Sequence, residues 1–216
     1  MSLPKAVIFD LDGVIVDTVP AHYVAWKSIA DELGIAFDEE ANEALKGVSR
    51  VDSMKKILAL GGLKRSDSEI LELTTKKNEL YVDIISKMTA DDILPGVIDF
   101  MDLLQHQGIK MAVGSSSKNT PTILKCIGLQ DAFDAIVDGN QVTHSKPDPE
   151  VFLKGAIKLG LSPEDCVVIE DAISGIEAAI NAKMKCIGIG EQDVLGKANV
   201  VIKSLSEANL DLLSRL

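Results

Sequence analysis

At 216 residues the chain has room for one large domain, or for a core domain carrying a smaller insert. Its 46% hydrophobic and 25% charged residues are the balance of a soluble globular protein, and no apolar run approaches the roughly 18 residues that span a bilayer. With 33 acidic residues against 22 basic ones the formal net charge is −11, which argues against nucleic acid and anionic membranes as partners and means that a phosphorylated substrate would need a metal ion and a few well-placed cations.

The first apolar run, Ala6–Phe9, is strand-sized and ends in acid, unlike a secretory leader. From 17 to 92 the pattern is helical throughout. Trp26, Ile29, Ala30 and Leu33 form one apolar stripe, and Met54, Ile57 and Leu58 another. Ile70, Leu73, Leu80, Ile84 and Met88 mark a third, interrupted at Lys77; Gly47 and Gly61-Gly62 punctuate the stretch. Leu94-Pro95-Gly96 is a turn signal that returns the chain to a different rhythm. Thereafter β-branched runs at Lys110–Val113, Ala135–Val137, Val167–Ile169, Cys186–Ile189 and Val200–Ile202 alternate with helical patterns. One helix is predicted around Val97, Phe100, Met101 and Leu104, and another around Phe152, Gly155, Ala156 and Leu159. Thr120 with Pro121 reads as an N-cap followed by the first helical residue. The expected architecture is α/β: a Rossmann-like parallel-sheet core from 1–16 and 93–216, with an α-helical cap domain at 17–92 inserted after the first strand. Cys126, Cys166 and Cys186 lie far apart without metal-ligand spacing, as free thiols of a reducing cytoplasm would.

Four short segments carry the chemistry. Val7-Ile8-Phe9-Asp10-Leu11-Asp12-Gly13 ends an apolar strand in two carboxylates, at the edge where open parallel sheets hold their ligands. Such close acids repel unless a cation sits between them; magnesium suits this, leaving one carboxylate to attack phosphorus and the other to trade a proton. Met111-Ala112-Val113-Gly114-Ser115-Ser116-Ser117-Lys118-Asn119 ends a second strand in hydroxyls and small residues, an anion site or an ordinary capping loop. Lys146, within Ser145-Lys146-Pro147-Asp148-Pro149, either neutralises a phosphoryl group or lies on the surface. Glu170-Asp171 ends a third strand in another acidic pair. Together they form a kit for phosphoryl transfer, a reaction that needs positioning and charge neutralisation above all.

These motifs resemble, in order, those of the haloacid dehalogenase superfamily: Asp10-Leu11-Asp12-Gly13, Ser115, Lys146 and Glu170-Asp171. The resemblance implies Asp10 as phosphoryl acceptor, Asp12 as general acid/base, Ser115 and Lys146 as catalytic partners, and a catalytic role for His22. It implies one Mg²⁺ per site, held by Asp10, the Asp12 backbone carbonyl and Asp171, with Glu170 beside them. Relatives that cleave carbon–halogen or carbon–phosphorus bonds usually lack the second aspartate, so Asp12 points to phosphatase or mutase chemistry. Asp17-Thr18, His22, Trp26, Leu45-Lys46-Gly47-Val48-Ser49-Arg50, Ser53, Lys77-Asn78 and Tyr81 are similar to the cap of the bacterial β-phosphoglucomutases, a family within the superfamily. This implies substrate contacts from Trp26, Gly47, Val48, Ser49, Arg50, Ser53 and Lys77, and from Ser116, Ser117, Lys118 and Asn119 of the core. Ser116 stands where some members carry Ala. The implied reaction interconverts β-D-glucose 1-phosphate and β-D-glucose 6-phosphate, with β-glucose 1,6-bisphosphate as intermediate and activator. A sugar-phosphate phosphatase of the same superfamily is the competing reading, since it would share every core motif. The expected partners are small-molecule sugar phosphates, and the expected state is a cytoplasmic monomer. Without the resemblance, His22 reads as a surface or capping residue, Arg50 as a loop cation, Trp26 as core packing, and Lys77 as a surface lysine with its stem on the apolar stripe.

Overall fold

The computed structural model describes residues 3–45 and 48–216. Gly47, one of the expected substrate contacts, lies outside them. The chain divides into two compact units, 1–17 with 89–216, and 18–88. Residues 89–92 therefore go with the first unit rather than with the helical insert. Val16 bridges Ile93 in antiparallel fashion and the Leu94 N–H donates to the Ile15 carbonyl at 2.9 Å, so the returning chain is fastened to the outgoing one.

The larger unit is a six-stranded parallel sheet of β1 (Ala6–Phe9), β2 (Lys110–Gly114), β3 (Ala135–Val137), β4 (Cys166–Glu170), β5 (Lys185–Ile189) and β6 (Val200–Ile202), in the order β3-β2-β1-β4-β5-β6. The order reverses direction at β1, the position where open α/β sheets open a ligand crevice beyond their strand C-termini. All four residues of β1 are fully buried, which is why the strand reads as a continuous apolar run rather than as an alternation. One buried layer joins Ile8, Ala112 and Val168 of the strands to Val151, Phe152 and Ala156 of one helix and Ile176 and Ala179 of another.

The second unit is helical: α1 (Val19–Glu32), α2 (Glu39–Glu43), α3 (Arg50–Leu60) and α4 (Asp67–Ile85), packed around Trp26, Ile29, Ala30, Phe37, Met54, Ile57, Leu58 and Ile70. Helix α4 starts in a capping box, with Ser66 accepting from the Glu69 N–H while Glu69 accepts from the Ser66 N–H. Its buried face is Ile70, Thr74, Lys77, Tyr81 and Ile85, with Ile84 and Met88 only partly covered. Of the apolar stripe only Ile70 lies on that face, with Leu73 and Leu80 packed partly buried beside it, because two of the face's five members are polar. In the first unit the remaining helices are α5 (Val97–His106), α6 (Thr120–Cys126), α7 (Glu150–Leu159), α8 (Ile173–Asn181), α9 (Gln192–Leu195) and α10 (Leu210–Ser214). Gly96, at φ +83, leads into α5 where a side chain would meet the Ser206 backbone at 2.1 Å. Helix α6 begins one residue earlier than its Thr-Pro signal suggests: Asn119 is the N-cap, and the Thr120 hydroxyl donates to the Ser117 carbonyl at 2.9 Å instead. All three cysteines are free, and burial pushes the Cys166 thiol up to about 11 and raises that of Cys186. Among the described residues no helix is long and apolar enough to cross a membrane.

Candidate active site

Strand register assembles the core residues at one edge. Phe9 pairs with Val113 on one side and Ile169 on the other, so Asp10, the Gly114–Ser115 step and Glu170–Asp171 leave the sheet together. The Asp10 N–H still donates to the Ile169 carbonyl at 2.9 Å, which fixes the aspartate backbone before its side chain is considered. Asp10 is 6% exposed and Glu170 1%. Lys146, 8% exposed, donates to Asp10 Oδ1 at 2.6 Å and to Glu170 Oε2 at 2.9 Å. Its Nζ also lies 4.8 Å from the centroid of the Phe152 ring. The surface reading of Lys146 is thereby excluded.

Two glycines make room for the acids. A methyl group on Gly13, whose φ is +80, would lie 2.1 Å from Asp171 Oδ2; one on Gly175 would lie 1.9 Å from Glu170 Cδ. The second Glu170 oxygen accepts from the Ala172 N–H at 3.2 Å. One carboxylate oxygen from each of Asp10, Glu170 and Asp171 falls within 4.8 Å of the others. Burial on its own would favour a neutral Lys146, but the Asp10 and Glu170 carboxylates outweigh it and hold the ammonium above its ordinary value. Burial first, then the Asp10 charge, raises Glu170 well above the usual carboxylate range despite Lys146, and Asp171 adds to the rise. The carboxylates of Asp10, Glu170 and Asp171 form an all-oxygen donor set, two of them bound to the Lys146 ammonium. That set fits a hard divalent cation such as Mg²⁺.

The Ser115–Asn119 loop is built from its own hydroxyls. Ser115, 1% exposed, accepts from the Ser117 N–H at 3.1 Å, and Ser117 Oγ accepts from the Asn119 N–H at 3.2 Å. Ser115 Oγ therefore keeps its own O–H to donate elsewhere. Ser116 Oγ is buried with no hydrogen-bond partner among the described residues. Lys118 is exposed, and its carbonyl accepts from Asn140 Nδ2 at 3.1 Å. Asp12 is half-buried, and its backbone bridges Val16.

The helical unit holds a second polar cluster. Lys77 is 2% exposed, which overturns its surface reading. Its Nζ lies 2.9 Å from His22 Nδ1, 4.7 Å from the Trp26 ring centroid and 4.4 Å from that of Tyr81. Trp26 follows His22, and Tyr81 follows Lys77, by one helical turn, so α1 and α4 each present two members. The His22 and Tyr81 rings are 4.3 Å apart. Burial, then the charges of Lys77 and Arg50, hold the His22 imidazole well below its ordinary range, so it is neutral and accepts from the ammonium through Nδ1. Burial also lowers Arg50. Ser49 caps α3, its Oγ accepting from the Asp52 N–H at 3.2 Å and donating to Asp52 Oδ2 at 2.6 Å. Ser53 is buried on α3, and Val48 donates its N–H to the Leu45 carbonyl at 3.1 Å. Sequence reasoning missed Phe152 beneath Lys146, because a helix-face Phe carries no signal beyond core packing.

A profile of the haloacid dehalogenase-like hydrolases matches residues 7–189. Over 211 residues the chain is 44% identical to the β-phosphoglucomutase of Bacillus subtilis (strain 168), covering 97% of this chain and 93% of that relative. A fructose-1-phosphate phosphatase of Escherichia coli (strain K12) is 34% identical over 186 residues, 84% of this chain and 94% of that protein. Among solved structures, a β-phosphoglucomutase from Clostridium difficile superposes with a TM-score of 0.93 at 39% identity, over 99% of this chain and 96% of that one. With that match spanning the acids, the lysine and the sheet that positions them, the chain belongs to the haloacid dehalogenase-like hydrolase family.

Proposed function

We propose that this chain is a β-phosphoglucomutase, an isomerase that interconverts β-D-glucose 1-phosphate and β-D-glucose 6-phosphate through an Asp10 phosphoenzyme and β-glucose 1,6-bisphosphate. The observation that carries the chemistry is the buried Lys146 bridge between Asp10 and Glu170. Lys146 holds one Asp10 oxygen at 2.6 Å and so fixes the carboxylate that attacks phosphorus. Asp12 gives a proton to the departing sugar oxygen and takes one from the accepting sugar hydroxyl. Ser115 donates its O–H to the transferring phosphoryl group, and Ser116, Ser117, Lys118 and Asn119 line the same loop. Asp10, the Asp12 carbonyl and Asp171, with Glu170 adjoining, are the residues that would hold Mg²⁺. The bound ion supplies charge neutralisation of the phosphoryl oxygens.

The choice of isomerase over hydrolase rests on the helical unit, taken as a substrate-selecting domain, and on the 44% identical relative. Arg50 grips the second phosphate of the bisphosphate with its planar fork. Lys77 and neutral His22 form a charged, preorganised pair in the same unit. Val48 and Ser49 are the half-buried members of the substrate set in that unit, whereas Trp26 and Ser53 are buried. A coupled assay with β-glucose 1-phosphate, Mg²⁺ and catalytic bisphosphate, with phosphate release followed on the same sample, tests the proposal. Glucose 6-phosphate should form much faster than phosphate. Stoichiometric phosphate release without isomerisation would replace the mutase by a sugar-phosphate phosphatase.

A further inference from the structure

Lys146 lies on a segment, 138–149, that forms neither helix nor strand, yet its Nζ is held 2.6 Å from Asp10. A loop of that kind does not hold a side chain to such a tolerance unless something fixes its backbone. Glu150, the first residue of α7, accepts from the Thr143 N–H at 2.9 Å and the His144 N–H at 2.8 Å through one carboxylate oxygen. Its other oxygen accepts from Lys154 Nζ at 2.5 Å, and the same ammonium donates to the Gln141 carbonyl at 2.5 Å. The Asp148 side chain in turn accepts from the Glu150 N–H at 2.9 Å. Residues 143–150 are thus closed into a ring with Lys146 at its middle, anchored on a helix that also supplies Phe152 beneath the ammonium.

We propose that Glu150 is the positioning residue of the active-site lysine: it ties the two backbone N–H groups that precede Lys146 to the helix that follows it, and so sets where the Lys146 ammonium meets Asp10. Glu150 touches no reacting atom and acts only through the loop. Hydrogen bonds from Lys154 and from the His144 and Thr143 N–H groups hold its carboxyl down at about 2, so it remains an anion throughout the working pH range. The inference rests on the reading of Asp10 as phosphoryl acceptor with Lys146 as its partner.

The test uses the full chain with Mg²⁺ and acetyl phosphate as a minimal phosphoryl donor. The variants are Glu150→Ala and Glu150→Gln. Three quantities are measured: backbone amide exchange of the 143–148 segment, the single-turnover rate of Asp10 phosphorylation, and Tm. Glu150→Ala should speed exchange at Thr143 and His144 and lower the phosphorylation rate about 10- to 100-fold, as expected when a reacting group is displaced by about an ångström. Half-saturation by acetyl phosphate should change little, and Tm should fall by no more than about 4 °C. Glu150→Gln, whose amide oxygen still accepts both N–H groups, should recover most of the rate. Unchanged exchange at Thr143 and His144 overturns the proposal, and so does free exchange with an unchanged rate. A rate loss that only tracks the folded fraction reduces Glu150 to a structural residue and also overturns it. If Glu150→Ala does not fold, a Glu150→Gln protein as slow as one lacking Lys146 decides against positioning. Wild-type protein that is never phosphorylated at Asp10 removes the underlying reading and this inference with it, whereas a phosphorylated wild type with an unimpaired Glu150→Ala removes the inference alone.

Discussion

Gly175→Ala adds one methyl group and should be worse for this protein than many larger changes. Gly175 lies in the first turn of α8, where replacing Gly by Ala ordinarily favours the helix by about 1 kcal/mol. Here the new methyl would sit 1.9 Å from Glu170 Cδ and 2.1 Å from Oε1, far inside contact distance. Glu170 must move, and its hydrogen bonds from Lys146 at 2.9 Å and from the Ala172 N–H at 3.2 Å go with it. A hydrogen bond to a charged group contributes about 1.5–3 kcal/mol, and escape of the raised Glu170 carboxyl toward water offsets part of that loss. Set against the helix gain, the expected destabilisation is about 1–3 kcal/mol, or a fall in Tm of roughly 3–10 °C for a chain of this size. Displacement of an acid of the cation cluster should weaken Mg²⁺ binding about 10- to 100-fold. Thermal unfolding with and without Mg²⁺, beside calorimetric titration of the ion, measures both. A raised Tm with unaltered Mg²⁺ affinity would refute the reasoning, because Glu170 would then be free to leave its observed place without consequence.

Asp10→Asn should retain the fold and lose turnover by several orders of magnitude, since an amide forms no acyl phosphate; intact-mass detection of a phosphoenzyme is the check. Arg50→Ala should lower mutase flux at least tenfold while slow hydrolysis of the Asp10 phosphoenzyme persists, and Arg50→Lys should recover only part; equal losses in both activities would remove Arg50 from the second-phosphate role. His22, held neutral in the folded protein, titrates near its ordinary value of about 6.5 in the unfolded chain. Below that value the unfolded state binds a proton the folded state refuses, so stability should fall as pH drops from about 7 toward 5 and stay level above 7. His22→Gln should flatten that slope in a Tm-against-pH series.

Much of the core was legible because its chemistry follows its strands. Ala6–Phe9, Ala135–Val137 and Val200–Ile202 are bounded as their β-branched runs suggest, and β4 extends its run by one residue at each end, to Cys166 and Glu170. Asp10, Ser115 and Glu170 sit directly after buried runs, so a local pattern already places them at a sheet edge. What remained hidden depends on partners far along the chain. Helix α2, with the sequence Glu39-Glu40-Ala41-Asn42-Glu43, has no apolar period and forms on the Asp38 cap, which accepts from the Ala41 N–H at 2.9 Å. Lys77 broke the stripe of α4, and the approach of His22 and Trp26 from α1, beside Tyr81 of α4 itself, surrounds its buried ammonium. Glu150 carries no signal in the sequence, because the Thr143 and His144 N–H groups converge on it only through the fold of the loop.

The charge count of the core leads to one further prediction. Asp10, Glu170 and Asp171 set up to three negative charges against the single positive charge of Lys146, in a cluster whose carboxylate ligand atoms lie within 4.8 Å of one another. Burial first, and then the Asp10 charge, raise the Glu170 carboxyl, and Asp171 adds to the rise. A phosphate dianion brought to Asp10 meets that field in a poorly hydrated site, where charges separated by about 4 Å interact by roughly 4 kcal/mol even at an effective dielectric of 20. Lys146 cannot relieve it, being already shared between two carboxylates at 2.6 and 2.9 Å. Anion and divalent cation must therefore bind with positive coupling, each raising the affinity of the other by the same factor. Inorganic phosphate alone should leave Tm unchanged, Mg²⁺ alone should raise it, and phosphate should raise it further only when Mg²⁺ is present. Asp171→Asn, which removes one of those negative charges, should weaken Mg²⁺ binding and let some phosphate bind without it. Phosphate that raises Tm of the wild-type protein equally in Mg²⁺ and in excess chelator would show that the Ser115–Asn119 loop holds the anion unaided, and that the acids at the ends of β1 and β4 do not set the order of events.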